Sequence, residues 1–440
     1  MFRLTNHLVV ISFDCLSSLD FPLLEQLPHF KEFLNRGSHC KKVETIYPSV
    51  TYPCHTSIVT GRYPKNHGIV NNTLTQPGKA SPDWYWHRKH IKGTTLYDEA
   101  KKAGMTTGAL LWPVTARANI DYNMPEIFAN RKWHHQIPVS LLNGSKRYQL
   151  DLNLRFGHLR SGLNQPELDD FVLESTIHTI KNKKPQLLLV HFVDLDSQRH
   201  YHGFSSDEAM DAIKRHDNRL GRIVESLKEA GIYEETTIAV LGDHSALDEN
   251  KAIKLNVLLK EQQIIDTDSK GVIRNWKAYC KSCDGSAYIY LKDSSDIQTK
   301  EVVKKLLNHL LVDERNGIEK IYSQEEAAAT GADDCCAFMV EARCGFYFNE
   351  DHEGSFLNEI TDQDVRRKRY THACHGYSPE KEDYTTILLL AGKGIKRNVV
   401  VPSMHLIDEG PTFAKLLGLD LGKTDGKVVQ DFFNQLDFNF

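Results

Sequence analysis

Three aspartates in this sequence follow apolar runs that are typical of buried strands. Asp14 ends the segment VVISFD, Asp196 lies in LLLVHFVDLD, and Asp243 follows IAVLG. In a parallel sheet the carboxyl ends of the strands share one edge, so we expect the three carboxylates to meet there. Carboxylates held close together repel one another unless a cation compensates them. The pattern therefore predicts a metal site.

Histidines accompany these aspartates at spacings that suit metal binding. Asp196 and His200 are four residues apart, which would place them on one face of a helical turn. His244 follows Asp243 directly, and His375 lies in the later segment THACHGYSP. Aspartate and histidine ligands together favour zinc, manganese or iron over calcium. Each residue alone would more often be a turn residue or a surface pair, so the prediction depends on their joint occurrence.

A hydroxyl-rich segment, VTYPCHTSIVTG, lies between the first two aspartates. Thr51 precedes Tyr52 and Pro53, in a position suited to capping a helix that ends at Gly61. A helix N-terminus offers free N–H groups and partial positive charge to an anion such as phosphate. A neighbouring divalent cation lowers the pKa of a threonine hydroxyl and activates it. Thr51 is therefore the predicted nucleophile.

The elements that would position these residues alternate between strands and helices. Strands are predicted over 8–13, 107–112, 186–193, 237–241 and 386–391, all as parallel strands. Helices are predicted over 95–103, 168–181, 206–230, 297–312 and 408–417. The alternation predicts an α/β fold with a three-layer α/β/α core and a mostly parallel sheet. A change of pattern predicts a smaller α+β subdomain at 255–370, inserted into a core of 1–254 and 371–440.

Length and composition are those of an ordinary globular protein of 440 residues. A net charge of −4, from 54 basic and 58 acidic residues, predicts neither binding of a nucleic acid duplex nor a polybasic membrane patch. No window reaches the roughly 18 consecutive apolar residues of a membrane span, and the N-terminal segment does not resemble a signal peptide. These features predict a cytoplasmic protein that does not bind a membrane.

The cysteines of the chain are scattered. Their number, nine, is odd, which predicts free thiols in a reducing compartment. Cys280 and Cys283 form a C-x-x-C pair without a second pair at zinc-finger spacing. A structural role is the favoured interpretation of these two thiols, and a redox or zinc role is the alternative.

The motifs together resemble the nucleotide pyrophosphatase/phosphodiesterase group of the alkaline phosphatase superfamily. The resembling segments are ISFD, TYPCHTSIVTGRYPKNHGIVNN, WPVT, DSQRHYHG, GDH, HGY and LIDEGPTFAKLLGL, which extend over nearly the whole chain. The resemblance implies an alkaline phosphatase-like fold and two divalent metal ions, with zinc as the favoured metal and manganese or iron as alternatives. One ion would be held by Asp196, His200 and His375. The other would be held by Asp14, Asp243, His244 and the Thr51 oxygen.

The resemblance also implies roles in a reaction. Thr51 would attack phosphorus and carry a phosphothreonine intermediate, which water then hydrolyses. Asn72 would donate a hydrogen bond to a non-bridging phosphate oxygen, with Asn71 as the reserve candidate. Tyr52 and His191 stand where members of the group carry aromatic side chains that can stack on a nucleobase, so both are predicted to bind substrate. The histidine departs from the aromatic pattern of the group.

The predicted function is metal-dependent hydrolysis of phosphodiester or nucleotide pyrophosphate bonds in a small substrate. A phosphomonoesterase or phosphonate hydrolase of the same superfamily is the alternative. Monoesterases usually place an arginine against the dianionic phosphate, and Arg62 and Arg199 lie near the relevant segments. A metal-stabilised binding protein without activity is the alternative from another class. It predicts at least one broken ligand position, and all predicted positions are intact. The native substrate, the leaving group and the oligomeric state stay open.

Overall fold

The computed structural model describes residues 2–79, 81–131 and 133–433. Within these residues the chain forms a mixed α/β fold with one nine-stranded sheet and three smaller sheets. The strands are β1 (His7–Phe13), β2 (Ser38–Glu44), β3 (Thr107–Leu110), β4 (Tyr122–Met124), β5 (Leu187–Phe192), β6 (Thr236–Leu241), β7 (Leu247–Ile253), β8 (Ile265–Thr267), β9 (Ile273–Trp276), β10 (Ala278–Cys283), β11 (Ser286–Leu291), β12 (Ile318–Ser323), β13 (Phe338–Ala342), β14 (Gly345–Phe348), β15 (Leu357–Glu359), β16 (Ala373–Cys374), β17 (Thr386–Gly392), β18 (Val400–Val401) and β19 (Met404–His405).

Helices cover much of the remaining chain. The α-helices are α1 (Phe21–Leu24), α2 (Pro28–Arg36), α3 (Thr51–Thr60), α4 (Pro64–His67), α5 (Leu96–Lys102), α6 (Gln136–Asn143), α7 (Lys146–Phe156), α8 (Glu167–Lys183), α9 (Asp194–His202), α10 (Asp207–Glu229), α11 (Leu255–Glu261), α12 (Ile297–Leu311), α13 (Gln324–Ala329), α14 (Asp362–Arg366) and α15 (Glu409–Leu417). No helix within the described ranges is both long enough and apolar enough to cross a membrane.

β1 lies in the middle of the large sheet, parallel to β5 on one side and to β6 on the other. The strand order is β18-β2-β17-β6-β1-β5-β3-β4, with β19 beside β2. Alternate residues of β1 contact different apolar clusters, because successive side chains of a strand point to opposite faces. Leu8 and Val10 pack in a cluster with α3, α5 and α15, whereas Val9 and Ile11 pack in one with α2, α8 and α10.

The five predicted strands of the large sheet occur at their predicted positions, but one of them runs in the opposite direction. β17 pairs antiparallel with both β6 and β2, so the prediction of a parallel strand over 386–391 is wrong. The chain enters β17 at the carboxyl edge of the sheet, where Leu388 lies beside Leu241. A strand that starts at this edge must run antiparallel to β6. β2 was not predicted, because its sequence SHCKKVE lacks the apolar run of a buried strand.

The strands from β7 to β16 pair outside the large sheet. β10, β11, β13 and β12 form one antiparallel sheet, and β14, β15 and β16 all pair with β7. Side chains of this segment share an apolar cluster that includes Ile253, Tyr279, Val340 and Phe348. The strand pairing therefore begins slightly before, and ends slightly after, the predicted subdomain at 255–370, whose limits stay a prediction. Residues 434–440 of the predicted core lie outside the described residues.

Candidate metal and catalytic site

The carboxyl ends of β5, β1 and β6 lie side by side and bring the predicted aspartates together. Asp14 directly follows β1, and Asp243 follows β6 after a single glycine. Asp196 lies in the first turn of α9, which begins immediately beyond β5. The ligand atoms of Asp14, Asp243 and His244 lie within 4.8 Å of one another, and the same holds for Asp196, His200 and His375. All six predicted aspartate and histidine ligands therefore fall into two groups.

In the first group, three oxygen atoms converge on one ring nitrogen. His244 Nε2 lies 3.3 Å from Thr51 Oγ1, 3.3 Å from Asp14 Oδ1 and 3.2 Å from Asp243 Oδ2. His244 Nδ1 donates to the Ser245 carbonyl at 3.2 Å, so Nε2 of the neutral ring carries a lone pair. Asp14 Oδ1 and Asp243 Oδ2 are buried and accept no hydrogen bond within the described residues. Among these electronegative atoms, the threonine hydroxyl supplies the only proton. The group is therefore suited to binding a divalent cation.

The electrostatics of this group favour a cation. Burial, followed by the charge of Asp196, raises the pKa of Asp14 to about 6. Burial and the charge of Asp14 raise the pKa of Asp243 well above its ordinary value. Burial lowers the pKa of His244 well below its ordinary value, so the ring stays neutral. Ionising two neighbouring buried carboxyl groups costs free energy, and a cation bound between them offsets that cost.

The second group contains Asp196, His200 and His375. Asp196 Oδ1 lies 3.3 Å from His200 Nε2 and 3.9 Å from His375 Nε2. His200 Nδ1 donates to the Ala373 carbonyl at 2.8 Å, which leaves Nε2 as the ligand atom. His375 Nδ1 is buried and has no partner within the described residues. The two groups adjoin, because the rings of His375 and His244 stack with centroids 4.0 Å apart.

Asp194 also follows β5, but it contacts different partners from Asp196. Arg215 Nε donates to its carboxylate at 2.7 Å and Arg219 Nη1 donates at 2.9 Å. Burial opposes ionisation of Asp194, but these two guanidinium groups outweigh it and hold the pKa below its ordinary value. Asp194 therefore fastens α9 to α10, whereas Asp196 faces the candidate site.

Thr51 is the first residue of α3 and not its N-cap. Val50 has the extended backbone of the N-cap position, and no side-chain hydrogen bond caps the helix. The prediction that Thr51 caps the helix is therefore wrong. The hydroxyl of an N-cap residue accepts a hydrogen bond from an N–H group of the first turn. The Thr51 hydroxyl faces His244 instead. The helix ends as predicted, at Gly61 in the left-handed conformation.

His55 lies beneath the first turn of α3 and fixes it. Its Nδ1–H donates to the Thr51 carbonyl at 2.8 Å, and the Ser12 hydroxyl lies 2.9 Å from its Nε2. Because a carbonyl oxygen can only accept, the proton is on Nδ1 and the serine hydroxyl donates to Nε2. Burial lowers the pKa of His55 well below its ordinary value, which preserves this neutral form.

The predicted phosphate-binding asparagine lies against the same turn. Asn72 Oδ1 accepts a hydrogen bond from the Tyr52 N–H at 2.8 Å, which fixes the side-chain amide. Its NH₂ group is then oriented to donate elsewhere. Asn71, the reserve candidate, instead donates to the Ser282 carbonyl at 2.8 Å and to Cys283 Sγ at 3.0 Å. Of the two asparagines, Asn72 is therefore the one that is bonded to the first turn of α3.

The two predicted substrate-binding rings are enclosed by protein. Tyr52 is 0% exposed and His191 is 1% exposed. The Tyr52 hydroxyl donates to Glu126 Oε1 at 3.1 Å, and His191 Nε2 lies 3.0 Å from Asp14 Oδ2. Stacking on a nucleobase needs an open ring face, and neither ring offers one here. Glu126, which contacts both residues, lies in no motif and was not predicted from the sequence.

His67 of the HGI segment is a buried neutral histidine. The Ile69 N–H donates to its Nδ1 at 3.1 Å, so the proton is on Nε2, which donates to Ser57 Oγ at 3.0 Å. This bond connects α4 to α3. Burial lowers the pKa of His67 to about 3.

The stability of the protein is expected to depend on pH through His67. In the unfolded chain a histidine titrates near pH 6.5, so between about pH 6.5 and pH 3 only the unfolded state binds the proton. The free energy of unfolding should therefore fall as the pH falls, by about 1.5 kcal/mol from pH 6.5 to pH 5 for this residue. Urea unfolding at both pH values should show a smaller decrease for His67→Gln than for wild type. His309→Gln, at an exposed position, is the control. An unchanged decrease in His67→Gln would contradict the prediction.

Comparison with known proteins identifies the family of this chain. A family model described as type I phosphodiesterase / nucleotide pyrophosphatase matches residues 8–378. The chain belongs to this family. The family resemblance predicted from the motifs is thereby confirmed, and the family is one of hydrolases that act on phosphate ester and anhydride bonds.

Relatives within the phosphodiesterase family differ in how much of their length is matched. Human ectonucleotide pyrophosphatase/phosphodiesterase family member 1 is 26% identical over 229 residues, 50% of this chain and 21% of that protein. Venom phosphodiesterase 2 of Crotalus adamanteus is 24% identical over 229 residues, 50% of this chain and 24% of that protein. The alignments thus span about a fifth to a quarter of these relatives. Human family member 5 is 22% identical over 441 aligned residues, 98% of this chain and 78% of that protein.

Solved structures of this family share the fold. Human family member 5 aligns with a TM-score of 0.67 and 20% identity, over 98% of this chain and all of that one. An inactive variant of murine family member 5, in complex with AMP, aligns with a TM-score of 0.66 and 19% identity over the same shares. At such low identity the likeness concerns the mixed α/β fold.

The predicted cytoplasmic location is wrong. The relatives in this phosphodiesterase family are named as ectonucleotide enzymes of human, mouse and rat or as venom enzymes. Such enzymes act outside the cytoplasm, whereas the prediction depended on the lack of a recognisable export signal.

The nine cysteines all lie within the described residues and are free, and Cys280 and Cys283 are buried in β10.

Proposed function

We propose that the chain hydrolyses phosphodiester or nucleotide pyrophosphate bonds with two divalent metal ions and Thr51 as the nucleophile. One observation carries the proposal: the Thr51 hydroxyl converges on the unprotonated Nε2 of His244 together with two carboxylate oxygens that accept no hydrogen bond from the part of the chain that the structure describes. Membership of the phosphodiesterase family supports it.

Two sets of residues would hold the ions. Asp14, Asp243 and His244 would hold one together with Thr51, and Asp196, His200 and His375 would hold the other. Nitrogen and oxygen ligands of this kind suit zinc, with manganese or iron as alternatives. When bound, such ions lower the pKa of an oxygen nucleophile and stabilise the negative charge that develops on a phosphate group.

The residues of the chain would then act as follows. The partial positive charge at the N-terminus of α3 would attract the phosphate, whereas the Tyr52 N–H of its first turn is already bonded to Asn72. Thr51 Oγ1 would lose its proton to solvent and bond to phosphorus while the bond from phosphorus to the leaving oxygen breaks, and the leaving group would depart as an alcohol or a phosphate that takes any proton it needs from solvent. Water then attacks the phosphothreonine and releases the phosphoryl group, which restores the hydroxyl. Asn72 would donate its amide N–H to a non-bridging phosphate oxygen, and His55 would keep the turn in place.

A phosphomonoesterase or phosphonate hydrolase is less well supported. The two arginines considered for the dianionic phosphate are engaged elsewhere. Arg62 Nε donates to the Lys423 carbonyl at 2.8 Å, and buried Arg199 pairs with Asp20 Oδ1 at 2.6 Å. Neither of these two arginines is therefore placed by its contacts to meet the extra negative charge of a monoester.

We further propose a nucleotide or similar small phosphoester as the substrate. The complex of murine family member 5 with AMP supports this choice. Because Tyr52 and His191 are enclosed, we do not assign them the recognition of a base.

The helices on both faces of the large sheet support the three-layer, alkaline phosphatase-like arrangement, with 255–370 as an inserted subdomain.

The proposed function is tested by rates on matched p-nitrophenyl substrates. The zinc-loaded protein is assayed with a thymidine phosphodiester, a phosphate monoester and a sulfate ester, each with and without a chelator. We expect the highest kcat/KM on the diester, and loss of that activity with the chelator. A preference for the monoester would instead support the phosphatase alternative. Bound zinc without turnover of any substrate would support the inactive binding protein.

A further inference from the structure

Asp14 is the last member of a chain of hydrogen-bonding side chains, of which all but Glu126 are buried. Its Oδ2 lies 3.0 Å from His191 Nε2. The other ring nitrogen, His191 Nδ1, lies 3.2 Å from Glu126 Oε2 and 3.2 Å from the Leu111 carbonyl oxygen. The second carboxylate oxygen, Glu126 Oε1, accepts the hydroxyl of Tyr52 at 3.1 Å. The chain therefore runs from the residue after Thr51, through Glu126 and His191, to Asp14.

This arrangement gives the two oxygens of Asp14 different surroundings. Oδ2 is engaged by His191, whereas Oδ1 faces His244 Nε2 at 3.3 Å and has no hydrogen-bond partner among the residues described. The terminal torsion of an aspartate is broad, so a carboxylate without such a contact can turn either oxygen toward a metal. The bond from His191 selects one orientation of the carboxylate.

His191 is fixed in the same way. Every partner of its two ring nitrogens is an oxygen, so the ring is held at both ends and cannot turn without losing a hydrogen bond. Its burial excludes water as a replacement partner. Glu126 is held at both of its oxygens, yet its side chain is 19% exposed and borders a cavity of about 530 Å³. Glu126 is thus accessible to a small solute.

We propose that His191 and Glu126 are positioning residues that aim Asp14 Oδ1 at the metal ion of the first group. The inference rests on the proposed function, since it assumes that Asp14, Asp243 and His244 bind a metal. Neither residue would touch the substrate. Outer partners of metal ligands typically change metal affinity by about 10- to 100-fold when they are removed. This effect should be confined to one of the two groups, because the second group has its own support from Ala373.

Zinc affinity measured by competition with a chromophoric chelator tests the proposal without using activity. Wild type is expected to bind two equivalents. In Glu126→Ala and in His191→Gln, one equivalent should weaken by about 10- to 100-fold and the other should keep its affinity. Asp217→Asn is the matched control, because it alters a buried carboxylate on α10 that accepts the N–H groups of His29 and Phe30. It should keep both affinities.

Chemical rescue separates positioning from a general structural role. Acetate can enter the cavity of Glu126→Ala and take the place of the missing carboxylate, so it should restore the weakened equivalent. It should not restore His191→Gln, in which the link to Asp14 itself is lost. If the alanine variant does not fold, Glu126→Gln replaces it in the zinc titration only, because glutamine fills the space that acetate would need, and Glu126→Gly then serves for the rescue.

Three results would overturn the positioning proposal: unchanged zinc affinity in both variants, equal weakening of both equivalents, or no rescue by acetate. Failure of the proposed function has a different signature. In that case the wild-type protein itself binds no zinc, or it binds zinc and hydrolyses no phosphoester.

Discussion

Replacing Thr51 by alanine is expected to abolish turnover while the six aspartate and histidine ligands stay in place. Removal of a catalytic nucleophile typically lowers kcat by several orders of magnitude, and we expect a loss of at least about 10⁴-fold. The reason is that the Thr51 hydroxyl, our proposed nucleophile, converges with Asp14, Asp243 and His244. The measurement is single-turnover hydrolysis of the thymidine p-nitrophenyl diester by the zinc-loaded variant.

Two variants of the same helix serve as controls. Thr51→Ser keeps a hydroxyl at the position and should retain measurable turnover. Thr60→Ala removes a buried hydroxyl that donates to the Thr56 carbonyl at 2.7 Å, and it should keep wild-type rates. Wild-type turnover in Thr51→Ala would exclude Thr51 as the nucleophile. Trapping of a phosphorylated protein from wild type, but not from Thr51→Ala, would support the covalent step.

Replacing Asp243 by asparagine is expected to have opposite effects with and without metal. In a chelator the variant should be more stable than wild type, because a neutral amide replaces a buried carboxylate whose pKa is raised by burial and by Asp14. With zinc the variant should lose the stabilisation contributed by one ion, about 4 kcal/mol at a free concentration of about 1,000 times Kd. Thermal unfolding of both proteins, with zinc and with a chelator, measures the difference.

Asp194→Asn is the matched control for this experiment. It lies near the same edge of the sheet, but its carboxylate is held by Arg215 and Arg219. Removing a partner from such a buried ion pair is destabilising, so this variant should be less stable than wild type under both conditions. If Asp243→Asn were also destabilised equally with and without zinc, Asp243 would be a structural residue and not a metal ligand.

The sequence predicted much of the candidate site because the relevant signals are local. Apolar runs that end in aspartate identify both a strand and its carboxyl end, so Asp14, Asp196 and Asp243 could be assigned to one edge of the sheet. The structure brings them together because β1 lies between β5 and β6. The same local reasoning predicted α3 and its end at Gly61, but it assigned the cap to Thr51.

The features that the sequence did not predict depend on contacts between distant segments. The direction of β17 is set by where the chain re-enters the sheet, and β2 is recognisable only from its partners. Glu126 lies just beyond the three-residue strand β4 and belongs to none of the motifs. Its proposed positioning role is recognisable only from its contacts to Tyr52 and His191. The burial of those two rings likewise depends on packing that spacing along the chain does not reveal.

The position of the candidate ligands along the chain has a consequence for its mechanical integrity. They extend from Asp14 to His375, and β16, which ends just before His375, pairs with β7, which begins just after His244. Bound ions would thus be removable cross-links that close very long loops, and such closure reduces the entropy of the unfolded ensemble. If the chain were cut once in a surface loop between His244 and His375, the ion of the second group would still join the two fragments, because Asp196 and His200 lie before the cut and His375 lies after it. The two fragments would be held at the same place where the chemistry occurs.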